Sequence, residues 1–230
     1  MGKRIISRAR GKGSPRYRSP GHRFVAPLSY PKIGESGIVV DIVHDPGRTT
    51  PLARLRIQNR EIYVPAAEGL KVGDILNIGG QAYIGNITTL ENVPKGSPVF
   101  AIESVPQSGP RFCCASGSYA FVIVNEPDKT IVQMPSSELK SFNPKCLAII
   151  GYPAGGGRTD KPFVKAGQMF YATRPRNALW PRTSANKMNP VDHPFGGRTK
   201  PGWPKSSSRW APPGQKVGSI ASRRTGRRKK

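Results

Sequence analysis

Short apolar runs alternate with turn residues through the middle of the chain. In the run Leu52–Ile57, apolar residues alternate with Arg54 and Arg56, which is the pattern of a strand buried on one face. Asn59 separates this run from a second one, Glu61–Val64. The two runs therefore predict a β-hairpin.

The same signals recur along the chain and predict ten strands in two sets. The predicted strands cover residues 37–43, 52–57, 61–64, 74–78 and 81–84, then 99–102, 119–124, 130–134, 138–142 and 146–150. Gly79-Gly80 would join the last two strands of the first set as a tight hairpin. Because the strands are short, separated by turns and accompanied by no convincing helix of ten residues, the pattern predicts an all-β protein.

The number of strands leaves two arrangements open. The segment 35–150 is long enough for two small β-modules, with the division near Thr88–Pro94 and a linker-like stretch from Glu91 to Gly96. The alternative is a single ten-stranded sandwich. We favour two modules, since the segment is generous for one small barrel.

Charge is distributed very unevenly along the chain. The formal net charge is +24, yet residues 35–150 carry ten basic and eleven acidic side chains. Residues 1–34 carry nine basic side chains and no acid, and residues 151–230 carry eighteen against Asp160 and Asp192. A neutral middle with two strongly basic arms argues against a free soluble enzyme, because such arms repel one another until a polyanion neutralises them.

The two arms are also rich in Gly and Pro and show no sustained periodicity. The last 80 residues hold eleven Gly and ten Pro. Such segments bury too little apolar surface to offset a backbone ordering cost of about 1–2 kcal/mol per residue. We therefore expect the arms to become ordered only against their partner.

Several classes of protein are excluded by what the sequence lacks. Apolar runs, such as the one that contains Phe121–Val124, are far shorter than the about 20 residues that a membrane helix needs. No apolar stretch follows the basic start, so no secretory signal is predicted and the protein is expected in the cytoplasm, with no membrane partner. The chain has no phosphate-binding loop motif, no zinc-protease motif and no paired carboxylates in the arms, and we expect no cofactor. The glycine run Gly155-Gly156-Gly157 is read as flexible backbone lying close to a polyanion rather than as a nucleotide site.

The three cysteines match neither a disulfide framework nor a zinc knuckle. Cys113 and Cys114 are adjacent and would point to opposite faces of a strand, which is poor geometry for sharing a metal. With Cys146 they are expected to be reduced structural thiols, and a metal site is the less favoured alternative.

All three tryptophans lie in the basic C-terminal arm. Trp180, Trp203 and Trp210 each have Pro, Lys or Arg beside them. This setting favours stacking on RNA bases next to phosphate contacts over a local apolar core. The basic tail that includes Arg223 and Arg224 fits either a phosphate-contacting arm or a nuclear-import signal.

One motif in this arm is highly specific. The string Met188–Gly197, Met-Asn-Pro-Val-Asp-His-Pro-Phe-Gly-Gly, closely resembles the signature of the family of the universal second protein of the large ribosomal subunit. Gly155–Gly167, the Trp180-Pro181 pair and Ala211–Gly218 resemble the same family in the same order. The resemblance therefore extends along nearly the whole chain.

Other segments refine the resemblance. The turn Asp45-Pro46-x-Arg48 and the run Pro65–Asp74 are similar to the first barrel of that family, and the Thr159–Pro162 stretch is similar to its archaeal and eukaryotic branch. Two departures flank the signature: Ser184–Lys187 replaces the usual Arg-Gly, and only Gly196-Gly197 stand where three or more glycines are usual.

The resemblance implies an oligonucleotide-binding-type barrel followed by an SH3-like barrel, with basic irregular extensions at both ends. The implied domains are a basic extension over 1–34, the first barrel over 35–90, the second over 91–168 and a basic Gly/Pro-rich extension over 169–230. The implied partners are large-subunit ribosomal RNA near the peptidyl-transferase centre, neighbouring ribosomal proteins and the small subunit. The implied role is structural, in assembly and subunit association during translation.

The candidate RNA contacts are basic, aromatic and amide side chains of the C-terminal part. They are Arg158, Lys161, Lys165, Arg174, Arg176, Trp180, Arg182, Asn189, Asp192, His193, Arg198, Trp203, Arg223 and Arg224.

His193 has two interpretations. The resemblance raises a role in peptide-bond formation, but the sequence offers no evident nucleophile or orienting triad beside it. We favour an RNA ligand on a loop stiffened by Pro190 and Pro194, with Asp192 holding the His193 tautomer or contacting a ribose hydroxyl. No catalytic residue is predicted. Two rival functions are less well supported. An RNA-modifying enzyme should show an acid cluster, which this sequence lacks. A general nucleic-acid condenser would not need two neutral β-modules.

Overall fold

The computed structural model describes residues 3–80, 82–198 and 206–223. These residues fall into two compact units. One lies within 21–164, and the other is formed by 3–20 together with 165–198 and 206–223.

The larger unit is built from strands in two main sheets and a small hairpin. The strands are β1 Ser36–Val43, β2 Leu52–Ile57, β3 Arg60–Pro65, β4 Ile75–Asn77, β5 Ile87–Thr89, β6 Pro98–Phe100, β7 Ile102–Glu103, β8 Pro110–Phe112, β9 Ala120–Asn125, β10 Thr130–Gln133, β11 Leu139–Phe142 and β12 Leu147–Ile150. The first sheet has the order β3-β2-β1-β4, the second has the order β11-β10-β9-β6-β12-β5, and β7 pairs with β8. The predicted all-β class is confirmed.

The first sheet follows the alternation read from the sequence. β2 pairs antiparallel with both β1 and β3, and the β2–β3 hairpin turns at Gln58 and Asn59 as predicted. Leu55 and Ile57 are buried, whereas Arg54 lies outside with its guanidinium 3.7 Å from Asp41 on β1. The apolar face thus packs into the core and the charged face pairs across strands.

The hairpin predicted around Gly79-Gly80 is wrong. β4 ends at Asn77, residues 82–84 form no strand, and Ile78 makes a parallel bridge with Ile87. The Asn77 main-chain amide donates at 3.2 Å to the side-chain oxygen of Asn86 and not to a main-chain carbonyl of a neighbouring hairpin strand. The chain therefore crosses over, and β5 pairs with β12 of the second sheet.

The predicted strand at 99–102 is divided in two. Ala101 has a φ of +53°, a left-handed conformation that interrupts an extended run. The carbonyl of Ala101 accepts a hydrogen bond from the Tyr30 hydroxyl, and its amide donates to the Cys113 carbonyl at 3.2 Å. β6 therefore stays in the second sheet, whereas β7 leaves it to pair with β8.

The turn between β1 and β2 is fixed by a buried carboxylate. Asp45 accepts a hydrogen bond from the Gly47 amide at 2.9 Å and pairs with Arg48. Arg48 also donates to the Ala26 carbonyl at 2.9 Å and lies 4.7 Å from the centre of the Phe24 ring. A side chain at Gly47 would meet that ring at 2.4 Å, so the turn and the segment before β1 pack as one piece.

Two apolar clusters form the core of the larger unit. The first joins β2 with later strands, since Leu55, Phe100 and Ile149 all belong to it. The second lies under β9 and β10 and includes Val122 and Val132. Because the first cluster contains residues from both main sheets, the two sheets pack against each other through shared apolar contacts.

The smaller unit contains little regular structure. Its elements are α1 Ile6–Lys12, α2 Ala166–Thr173, β13 Ser206–Ser207 and β14 Ser219–Ile220, with single 3-10 turns between them. The prediction of largely irregular basic extensions is confirmed. None of the helices in the described ranges is long and apolar enough to cross a membrane.

Candidate nucleic-acid interface

The smaller unit has almost no negative charge. The segments 1–20 and 165–230 hold twenty-three Lys and Arg residues, and Asp192 is their single acidic residue. Such an excess of positive charge favours binding to a polyanion.

The beginning of the chain packs beside the signature loop, Met188–Gly197. The main-chain amide of Lys3 donates to the Val191 carbonyl at 2.8 Å, and the Lys3 ammonium lies 3.4 Å from Asp192. Ile5, just before α1, is 6% exposed. The N-terminal segment is thereby attached to the loop by one main-chain bond, one ion pair and apolar burial.

A second attachment is made by one amide side chain. The Asn177 amide nitrogen donates to the carbonyls of Pro15 at 3.0 Å, Arg16 at 2.7 Å and Arg18 at 3.1 Å. Asn177 has a φ of +54°, a conformation in which Asn is more common than most residues. One side chain therefore holds a basic N-terminal turn against the segment that follows α2.

The signature loop is closed by its own main chain. The Asn189 carbonyl accepts hydrogen bonds from the amides of Asp192 at 3.0 Å and His193 at 3.2 Å, and Gly197 donates to Met188 at 3.1 Å. A Cβ at Gly196 would lie 2.3 Å from the Asn189 carbonyl oxygen. Only glycine fits there, because the opposing atoms are main-chain atoms that have little freedom to move.

The same loop sets the tautomer of His193. Nδ1 accepts a hydrogen bond from the Phe195 main-chain amide at 3.0 Å, so Nδ1 carries no proton and Nε2 carries it. Burial lowers the pKa of His193 from its ordinary value, which keeps the ring neutral at physiological pH. Of the two roles expected for Asp192, holding the tautomer is wrong, since the Phe195 amide binds Nδ1 and Asp192 pairs with Lys3. Its contact with a ribose hydroxyl stays a prediction.

Cationic side chains from both ends of the chain surround His193. A cavity of about 500 Å³ is lined by Arg10, Arg182 and His193, and a second of about 260 Å³ is lined by Arg4, Arg8 and His193. Arg8 also donates to the Pro213 carbonyl at 3.4 Å. Both cavities are edged by guanidinium groups, the groups that bind phosphate most specifically.

Other predicted contacts lie along the same unit. Arg174 and Arg176 are exposed on the 3-10 turn that follows α2, and Trp180 is half-buried. The guanidinium of Arg176 donates to the Ala172 carbonyl at 3.5 Å. Lys165 immediately precedes α2. The remaining predicted contacts of this unit are exposed, namely Arg182, Asn189, Arg198 and Arg223.

Two predicted contacts belong to the larger unit. Arg158 lies in a 3-10 turn and donates to the Ser116 hydroxyl at 2.6 Å, while Lys161 is exposed. The neighbouring Gly156 packs against Gly117, where an added Cβ would lie 2.8 Å from the Gly156 Cα. These glycines thus allow two segments of the chain to approach closely, which is a structural role that the sequence did not indicate.

The structure leaves some predictions untested. Trp203 and Arg224 lie outside the described residues. Trp210 is described and is 88% exposed, so its ring is open to stacking. Within the described ranges, no group of three His, Cys, Asp or Glu side chains lies close enough to hold a metal ion, and the three cysteines are free thiols.

Comparison with known proteins identifies the family. The profile for the C-terminal domain of ribosomal proteins L2 matches residues 83–216, and the profile for their RNA-binding N-terminal domain matches residues 3–78. The chain belongs to the ribosomal protein L2 family.

Similar proteins in archaea support the same assignment. The large ribosomal subunit protein uL2 of Methanothrix thermoacetophila is 51% identical over 236 residues, which cover 99% of this chain and all of that protein. The uL2 proteins of Archaeoglobus fulgidus and Methanococcoides burtonii are 49% and 47% identical over 237 residues each, covering 100% and 99% of this chain and the whole of each relative. The resemblance to the archaeal and eukaryotic branch is thus confirmed.

Membership in the L2 family also accounts for the β-sheet units. The two sheets of the larger unit are consistent with the oligonucleotide-binding-type and SH3-like barrels of L2 proteins. The four domain boundaries read from the sequence stay predictions.

Some residues of the candidate interface were missed by sequence analysis. Arg4, Arg8, Arg10 and Asn177 were not singled out, although the structure places the arginines beside His193 and gives Asn177 the role of attaching the N-terminal segment. The basic character of residues 1–34 was visible, but nothing in the sequence indicated which C-terminal segment this part contacts.

Proposed function

We propose that the smaller unit binds large-subunit ribosomal RNA near the peptidyl-transferase centre and supports subunit assembly. As an L2-family member, the chain is a structural, RNA-binding protein of the large ribosomal subunit, and its partners are ribosomal RNA and other ribosomal proteins. The observation that carries the finer proposal is the arrangement of guanidinium groups around a loop that is closed by its own hydrogen bonds.

The arginines and lysines of this unit would neutralise RNA phosphates. Arg174, Arg176, Arg182 and Arg198 are exposed and lie in a unit with one carboxylate, which pairs with Lys3. Arg158 and Lys161 would add contacts from the larger unit. Because phosphates are regularly spaced along RNA, a set of guanidinium groups that contacts them recognises backbone shape rather than sequence.

Trp180 and His193 would add directional contacts. The half-buried Trp180 ring can stack on a base or a sugar, and the outward Nε2–H of His193 can donate to an RNA oxygen. Asn189 is exposed beside His193, and its amide can read a base edge or a phosphate. Trp203, Arg223 and Arg224 remain proposed contacts of the same kind.

We propose no catalytic activity for this chain. L2 proteins are structural components of the ribosome, and in the part of the chain that the structure describes, His193 Nδ1 pairs with a main-chain amide rather than with a carboxylate. In a catalytic triad the Nδ1–H of the histidine donates to a carboxylate, and the unprotonated Nε2 acts as the base. In this chain Nδ1 accepts a hydrogen bond, so Nε2 carries the proton and cannot accept one. We also propose a contact with the small subunit and a cytoplasmic location on the ribosome.

Binding to ribosomal RNA at several salt concentrations tests this proposal. The logarithm of affinity should fall with the logarithm of salt by about 0.7–0.9 per phosphate neutralised. Deleting residues 1–20 together with 199–230 should flatten the slope sharply, since these segments hold much of the excess charge. An unchanged slope would show that these two segments contribute little to RNA binding and would contradict their proposed role.

Association with the particle is the second test. The full chain should sediment with large subunits and leave them only at high salt. A protein found with chromatin or with free RNA of any kind, and not with subunits, would contradict the proposal.

A further inference from the structure

The larger unit contains a cavity that the proposed interface does not use. It has a volume of about 590 Å³, within the range of about 300–1,000 Å³ typical of small-molecule sites. The segment before β1 forms one side, with Leu28 and Tyr30, and the loop between β7 and β8 forms the other, with Pro106 and Gln107.

The walls of this cavity are held in place by a buried carboxylate. Glu103 is fully buried and accepts main-chain hydrogen bonds from Gly109 at 2.9 Å, Gln107 at 3.1 Å and Leu147 at 2.9 Å. Gly109 has a φ of +75°, and a Cβ there would lie 3.2 Å from the Leu28 carbonyl oxygen. The loop is therefore fixed both by Glu103 and by contact with the opposite wall.

The chemistry of the lining is apolar with a cationic rim. Leu28 and Leu147 supply apolar surface, and burial raises the pKa of Tyr30 well above its ordinary value, so its ring stays neutral. Lys32 and Lys145 also line the cavity, are exposed, and have no ion-pair partner among the residues described here. The carboxylate of Glu103 accepts main-chain hydrogen bonds and forms no ion pair with either lysine.

We propose that this cavity binds an unstacked nucleobase of the large-subunit RNA, with Lys32 and Lys145 contacting its flanking phosphates. A base has flat apolar faces and polar edges, which suit a leucine- and tyrosine-lined cavity with the Gln107 amide at its wall. The two ammonium groups at the rim favour an anionic ligand, and phosphodiesters supply the negative charge. This site rests on the proposed RNA-binding function, but it lies on the larger unit, which carries almost no net charge of its own.

An apolar side chain of a neighbouring protein is the competing occupant. It would fill the same leucine- and proline-lined space but would leave both lysines without a counter-charge. The two occupants therefore differ in whether binding depends on Lys32 and Lys145.

Photo-crosslinking of the full chain to a trinucleotide with a central 4-thiouridine tests the site. Adducts should appear in the tryptic peptides 24–32 and 96–111, which contain the two walls. Ser29→Trp, at an exposed position that lines the cavity, should lower these adducts by about tenfold or more, as expected for loss of one stacked base. The matched control Ser136→Trp lies on an exposed turn away from the cavity and should leave them unchanged.

Charge is tested separately. Replacing Lys32 and Lys145 together by Gln should weaken crosslinking several-fold, whereas the exposed pair Lys71 and Lys95 replaced by Gln should not. Adducts confined to the arms, or unaffected by Ser29→Trp, would overturn the site. Equal loss in both lysine pairs would also overturn it, because binding would then follow net charge alone.

Failure of the cavity and failure of the proposed function are distinguishable. If the full chain binds ribosomal RNA but no adduct forms at the cavity, only this site is wrong. If the full chain does not bind ribosomal RNA, the proposed function itself is wrong. If an apolar peptide binds in the cavity and the trinucleotide does not, the occupant is a protein side chain and the nucleobase proposal is overturned.

Discussion

His193 Nδ1 accepts a hydrogen bond from the main-chain amide of Phe195 at 3.0 Å, and the two rings lie 5.1 Å apart. Phe195 is 6% exposed, so its ring anchors the loop while its amide determines which nitrogen of His193 is protonated. The histidine therefore has two separable functions. Nδ1 closes the loop, and the Nε2–H is available to a ligand.

Two substitutions of His193 separate these functions. In His193→Asn, the side-chain oxygen can take the place of Nδ1 and accept the hydrogen bond from the Phe195 amide, but no donor reaches the position of Nε2. In His193→Gln, the amide nitrogen can reach the position of Nε2, but the acceptor for Phe195 is lost. We expect Asn to keep the loop and weaken RNA contact, and Gln to assemble into subunits with most peptidyl-transferase activity retained.

Assembly yield and activity per assembled subunit should be measured separately for both variants. His193→Ala, which loses both groups, should impair assembly first. If His193→Gln subunits form in normal yield but lose activity by orders of magnitude, the histidine takes part in the chemistry and the structural interpretation fails.

Gly196 should tolerate no side chain. Gly196→Ala places a Cβ at 2.3 Å from the Asn189 carbonyl oxygen, so the loop must shift at a cost of about 1–3 kcal/mol of stability. The control is Gly167→Ala in α2, where nothing lies within 4 Å of the added Cβ. That change should be neutral or stabilising by up to about 1 kcal/mol. Denaturant unfolding and RNA affinity of the two variants check the prediction, and similar losses in both would contradict it.

Asn177 should control the position of the basic N-terminal turn. Asn177→Gly retains the left-handed backbone but removes the amide that donates to three carbonyls between Pro15 and Arg18. We expect a loss of about 1–3 kcal/mol in the stability of this attachment. Trypsin should then cleave after Arg16 and Arg18 several-fold faster than in the unmodified chain.

Lys3→Gln serves as the matched control for Asn177→Gly. It removes an ion pair whose Lys3 side chain is 73% exposed, and exposed pairs contribute only about 0–1 kcal/mol. Trypsin cleavage at Arg16 and Arg18 should be nearly unchanged. Equal acceleration in the two variants would show that the N-terminal segment is held by charge rather than by the amide.

Cys114 should resist alkylation in the folded protein. Burial, assisted by the neighbouring Cys113, raises its pKa from the ordinary 9.0 to about 11. The thiolate fraction near neutral pH is therefore about a hundredfold lower than in the unfolded chain, and iodoacetamide should react slowly until denaturant is added. Because the folded-state pKa is raised, stability that is present below pH 9 should be lost as the pH rises towards 11. Rapid labelling of Cys114 under native conditions at neutral pH would contradict this prediction.

The alternation in the sequence determined most of the larger unit. The run Leu52–Ile57 could be read as a strand because period-2 burial is a local property, and the β2–β3 hairpin followed from Asn59 for the same reason. The uneven charge likewise showed that the two ends of the chain, and not its middle, seek a polyanion. The family could be read from the string Met188–Gly197, because that string is specific.

Only the tertiary structure decided contacts between residues that are distant in sequence. The Ile78–Ile87 bridge that replaces the predicted hairpin is accompanied by a hydrogen bond from the Asn77 amide to the side chain of Asn86, a partner that no local pattern marks. The pairing of Lys3 with Asp192 joins opposite ends of the chain, and no local pattern marks such a partner. One of the two roles expected for Asp192, holding the His193 tautomer, was wrong because adjacency in sequence does not determine side-chain direction. The closed loop instead brings the Phe195 amide to Nδ1.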